Sequence, residues 1–156
     1  MRKFDSPYIA DWFAISLRWM TLFALTVALS KDRELISLLP LFVLTLANLA
    51  WSVMAGLNIR LTYHRHLAIL VDIIFAILIF LLEKGLTGAV SWIGILPILS
   101  GAIYFEVLGG VLAASVMAIT ALSFSYFGMS AGSLPAGAIA AVITLALGLL
   151  FGFLSN

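Results

Sequence analysis

Arg18, Asn48 and Asp72 lie inside apolar stretches of a chain that keeps most of its other charges between such stretches. A base, an amide and an acid in apolar surroundings can carry a proton, bind an ion or hold helices together. An ionisable group in mid-membrane costs about 2.5–3.5 kcal/mol on insertion scales, so each asks for a partner, a water path or a place near the interface. His64 and His66 bracket Arg65 and could offer two metal ligands, but a metal site needs a third or fourth. The competing reading is a basic interfacial rim that titrates near neutral pH. No Walker loop, GxGxxG or HExxH motif occurs, and neither histidine has the context of a phosphoacceptor. No catalytic residue, metal or cofactor is therefore assigned.

The elements that must position these residues follow from composition. Of 156 residues, 64% are hydrophobic and 10% charged, with a mean hydropathy of +1.22. A soluble domain of this length needs far more polar surface, so the chain reads as an all-α integral membrane protein with the lipid bilayer as its main partner. The net charge of +1 excludes a broad nucleic-acid footprint, and the absence of cysteine excludes disulfides and Cys-based sites. Asp5, Asp11 and Arg18 interrupt the first apolar stretch, which argues for a retained helix rather than a signal peptide.

A bilayer core of about 30 Å takes roughly 20 helical residues. Charged or Gly/Pro-rich breaks then give a single domain of six transmembrane helices, at 11–30, 35–57, 67–82, 90–105, 107–127 and 135–154, with no soluble domain. The break at Glu106 rests on one glutamate followed by Gly109 and Gly110, and a re-entrant element is its alternative. Arg2, Lys3, Arg18, Arg60 and Arg65 face one side, against Lys31, Arg33 and Lys84 on the other. That bias favours both termini in the cytoplasm.

With this topology, Arg18 and Asp72 each lie about 9–10 Å into helices one and three from the same side, and Asn48 on helix two is slightly deeper. Opposite charges at one depth can pair, so the expectation is a polar network of Arg18, Asn48 and Asp72 tying three helices together. The alternative has Arg18 snorkelling to the headgroups, with Asp72 protonated or wet. Gly110, Ala114 and Ala118, with Gly148 and Gly152, mark faces of close approach, either within one chain or at a homodimer seam. Pro97 is expected to bend the middle of helix four, and Trp12, Trp19, Trp92 and Tyr104 to anchor span ends. A ligand or signal pocket is expected between helices three and four, near Thr87, Ser91, Trp92 and Pro97.

The segments LRWM (17–20), LANL (46–49), LVDIIFAILIF (70–80), GLTGAVS (85–91) and LPILSGAIYFEVLGG (96–110) carry a resemblance. Taken together, they make residues 15–127 similar to the six-helix N-terminal membrane region of multi-pass bacterial sensor histidine kinases. The resemblance implies a sensory input module in the bacterial inner membrane, homodimeric, with a cytoplasmic kinase domain and a response regulator as partners. It also implies histidine kinase activity only in a chain that continues past Asn156. TGAVSWI keeps Thr87 and Gly88 but lacks the rest of the outer loop that redox-responsive members use for quinones. The alternative is a small six-helix substrate-binding subunit, like the S components of energy-coupling-factor transporters, or a structural subunit of a membrane complex.

Overall fold

The computed structural model describes residues 7–29, 39–57, 59, 62–82, 91–127 and 134–155. Among them the order is α1 (Pro7–Leu29), α2 (Leu39–Gly56), α3 (His64–Leu82), a 3-10 turn (Ser91–Gly94), α4 (Ile95–Tyr126) and α5 (Leu134–Leu154), with no strand. All five helices are long and apolar enough to cross a membrane. The molecule is an all-α membrane protein. Helix is the form that satisfies every backbone donor and acceptor within its own segment where no water can do so.

The helices start where backbone chemistry allows. Pro7 opens α1, and Pro40 and Pro135 are second in α2 and α5; in a first turn a missing N–H deprives the helix of nothing. Pro97 belongs to the same class. It lies in the first turn of α4, directly after the 3-10 turn, and the expected mid-helix bend is absent because no preceding α-helical turn needs its N–H.

The bend occurs nine residues later. The expected helices 90–105 and 107–127 run together as α4, so five helices rather than six are counted among the described residues, yet the expected break at Glu106 is present within α4. There Phe105 (φ −133°, ψ 19°) and Glu106 (φ 56°, ψ −139°) leave helical geometry. At this point the chain doubles back. A Cβ on Gly94 would stand 3.2 Å from Met117 Cε, whereas a straight helix would separate those positions by about 34 Å. At Gly101 and Gly109 the two arms touch backbone to backbone, and a side chain on either would collide with the other's carbonyl.

α5 lies antiparallel on the second arm. Gly152 packs on Val107, Gly148 on Gly110 and Ala114, and Gly137 on Ala121 and Ser125. The other side of the α4 hairpin meets α1 and α3. A core of Leu22, Leu25, Leu29, Leu44, Phe75, Ile79, Ile93, Leu96 and Met117 fills that junction, with a smaller cluster of Ala14, Ala68 and Tyr104 nearer the other end. Outward faces are as apolar as inward ones: Phe13, Met20, Phe23 and Val27 are exposed on α1, opposite Ala14, Arg18, Leu22 and Leu25. Such a helix has apolar surroundings on both sides.

Candidate functional site

The polar site lies between the two core clusters. Arg18 from α1 donates through Nε to Asp72 Oδ1 and through Nη2 to Asp72 Oδ2, both at 2.7 Å, across to α3. Only 1% of the arginine side chain and none of the aspartate's is exposed. Two parallel bonds use the planar fork of the guanidinium, which fixes direction as well as charge, and a lysine could not replace it. The arrangement is incompatible with Arg18 snorkelling to headgroups.

α2 and α4 close the site. The Trp51 ring lies 5.6 Å from Arg18 Cζ, a cation–π contact. One turn before it, Asn48 does not bond to the ion pair; its Nδ2 donates to the Ile15 carbonyl at 3.4 Å, one turn before Arg18 on α1. Of the three expected residues, the structure thus joins Arg18 and Asp72 directly and places Asn48 beside them, tied to the α1 backbone. Ser100 from α4 stands next to Asp72, and Tyr104, one turn further on, next to Arg18. Tyr104 was expected to be an interfacial anchor. It is 92% covered because α4 turns at Phe105 and keeps the ring inside, against Ala14 and Ala68.

Sequence reasoning did not find Ser100, and the reason is physical. In an apolar helix a hydroxyl ordinarily bonds back to the carbonyl four residues earlier. Thr21, Thr26, Thr45, Ser52, Ser115, Thr120 and Thr144 all do so. Ser100 Oγ is buried without a hydrogen-bond partner, as is Ser125 Oγ. Nothing in the residue order separates these two from the other seven.

At the mouth of the bundle, Asp11 Oδ1 lies 3.3 Å from His64 Nε2 and 3.6 Å from Arg65 Nε, with side chains 19–30% exposed. The Arg65 guanidinium in turn lies 5.7 Å from the Tyr104 ring centre. His66 packs against Phe105, with ring centres 4.7 Å apart and planes tilted by 47°, so the two histidines serve different neighbours. Among the described residues no group of three or more His, Cys, Asp or Glu side chains could hold a metal. GMSAG at 128–132 has the spacing of a nucleophile elbow, but that motif needs a strand-to-helix turn; its residues lie outside the described ones.

The small residues are all buried within one chain. Gly110, Ala114, Gly148 and Gly152 form the α4–α5 seam, and Ala118 is buried on the same arm of α4. Of the expected pocket, Ser91 and Trp92 line a groove of about 420 Å³ with Ile98, Ala140, Ile143 and Thr144. The groove lies between the start of α4 and α5, rather than between helices three and four as expected, because the hairpin turns that face of α4 towards α5. Pro97 is fully buried and does not line it. Thr87 lies outside the described residues. Comparison with protein-family models, curated proteins and solved structures finds no match to this chain.

Proposed function

We propose that the chain is the membrane-embedded input module of a two-component sensor histidine kinase. In this reading it has six spans, the arms of α4 counting as two, with both termini in the cytoplasm of a bacterial cell and the bundle in the inner membrane. A lipid-phase signal shifts α5, which relays the change to a cytoplasmic kinase and its response regulator. Alternate bundle arrangements need differ in ligand affinity by only a few kcal/mol for the population to move.

One contrast carries the reading. α1 and α3 are cross-linked by a two-point ion pair, whereas α5 rests on α4 through glycine and alanine, with no ion pair joining them among the described residues. A seam held by close packing alone responds to whatever alters that packing, whereas a charged fork holds its partners in one direction. The groove at Ser91 and Trp92 opens on that seam, so an occupant would bear on α5 directly. Ile95, Ile98, Ile139 and Ile143 make its walls mainly aliphatic, which favours a membrane-soluble ligand over the polar solute of a transport subunit. Because Gly148 and Gly152 are occupied within the chain, a kinase homodimer would use other surfaces.

The test joins residues 1–156 to a dimeric cytoplasmic kinase core in nanodiscs and follows phosphoryl transfer to its response regulator. Output is expected to vary with lipid composition and to lose that variation in Ala140→Leu, which fills the groove. Output that stays constant across lipids and is insensitive to Ala140→Leu would overturn the reading.

A further inference from the structure

The buried ion pair leaves polar capacity unused. Arg18 spends Nε and Nη2 on Asp72, and its Nη1 is buried with no hydrogen-bond partner. Asn48 spends Nδ2 on Ile15, and its Oδ1 is likewise buried and unpartnered. Ser100 Oγ is buried beside the Asp72 carboxylate and retains capacity to accept. A polar group buried without a partner is costly, and more so where it is charged.

These three belong to one neighbourhood. Arg18 touches Asp72 and lies over Trp51; Asn48 is one turn from Trp51 on α2 and holds the carbonyl one turn from Arg18 on α1. Ser100 stands against Asp72 from α4. The set thus contains a cationic donor, a neutral acceptor and two hydroxyls that can do either, Ser100 beside Asp72 and Tyr104 beside Arg18. Arginine and aspartate cancel in charge, so the site offers no net field for a cation or an anion. What fits is a small neutral molecule that donates and accepts at once.

We propose that the junction of α1, α2, α3 and α4 is an internal hydration site, in which water accepts from Arg18 Nη1, donates to Asn48 Oδ1 and takes Ser100 Oγ as its further partner. Three polar partners meet the usual requirement for a buried water. The bundle then has a wet level between two dry cores, and the ion pair exchanges protons with solvent although it is closed to lipid. This inference is independent of the sensory reading and stands or falls on the site alone.

The test is solid-state NMR of the full chain labelled with ¹⁵N-arginine, ¹⁵N-leucine and ¹⁵N-alanine in lipid nanodiscs, measuring magnetisation transfer from water to the guanidinium and amide nitrogens. Arg18 Nη1 is expected to receive transfer at a rate comparable to Arg65 at the mouth, while the amides of Leu25 and Ala76 receive none. In Asn48→Leu the transfer to Arg18 should fall towards the level of those controls. Ser100→Ala, which leaves the α1–α2 contact intact, should reduce it partially and serves as the readout if Asn48→Leu does not fold. Absence of transfer to Arg18 in the unaltered chain overturns the proposal. So does undiminished transfer in Ser100→Ala together with Asn48→Leu, or quenching of Arg18 by a headgroup-level paramagnet, which would place the guanidinium outside the bundle.

Discussion

The half of the bundle made by α1, α2 and α3 and the half made by α4 and α5 are held together by opposite means. In the first, few contacts are close, but one of them is directional and charged: the Arg18–Asp72 fork, backed by Trp51 and Asn48. In the second, no charge is buried among the described residues, and backbones approach until glycine is required at Gly101, Gly109, Gly110 and Gly148. Lipid is as apolar as leucine, so burying leucine between helices gives little drive to associate. Two remedies remain, a polar contact that lipid cannot replace and a fit that lipid cannot match. The two halves use one each.

That division predicts a graded series of effects. Gly109→Leu should be the most damaging change, because the α4 arms touch there through backbone that cannot give way. A loss above about 4 kcal/mol is expected, read as failure of the arms to pair in helix–helix energy transfer between labels near Gly94 and Met117. Asp72→Asn should come next, at about 3–5 kcal/mol, since it strands a buried guanidinium. It should loosen α1 from α3 in steric-trap unfolding while sparing the α4–α5 seam. If it disturbed both halves equally, the division would fail. The double change Arg18→Met with Asp72→Leu should recover most of that loss, because it removes both charges together.

Smaller effects fall on the turn and the mouth. Glu106 holds φ at 56° with ψ at −139°, a conformation glycine adopts freely and glutamate does not. Glu106→Gly is expected to stabilise the hairpin by about 1 kcal/mol in thermal unfolding. Asp11→Asn weakens only the partly exposed contacts to His64 and Arg65 and should change stability by less than about 1 kcal/mol.

Much of the first half is legible in the sequence. Charges are rare in membrane helices, and the regular rise of a helix gives their depths, so residue order alone sets Arg18 and Asp72 level. Depth is one coordinate only. Direction around the helix is not given by rise, which is why Asn48 was expected on the ion pair and is found on the Ile15 carbonyl instead. The second half is less legible. Gly and Ala spacing marks faces that come close, but the same spacing serves a neighbour in the chain and a second copy equally. The partner was decided by the reversal at Phe105 and Glu106, which turned α4 towards α5 and placed Ser91 and Trp92 on that seam. Tyr104 and Ser100 escaped for the same cause: their neighbours are chosen by the turn that follows them.

The α4 hairpin also has unequal arms. From Ser91 to Tyr104, a 3-10 turn and a short α-helical run rise about 23 Å, whereas the arm from Val107 to Tyr126 rises about 29 Å. Both start from one turn, whose Glu106 is exposed and, as a carboxylate, belongs at the level of the headgroups. The described part of the shorter arm therefore stops several ångströms short of the far end of its neighbour. Gly94 stands opposite Met117, so the start of the shorter arm forms a step beside the longer one, and Trp92 lines the groove against α5 at that step.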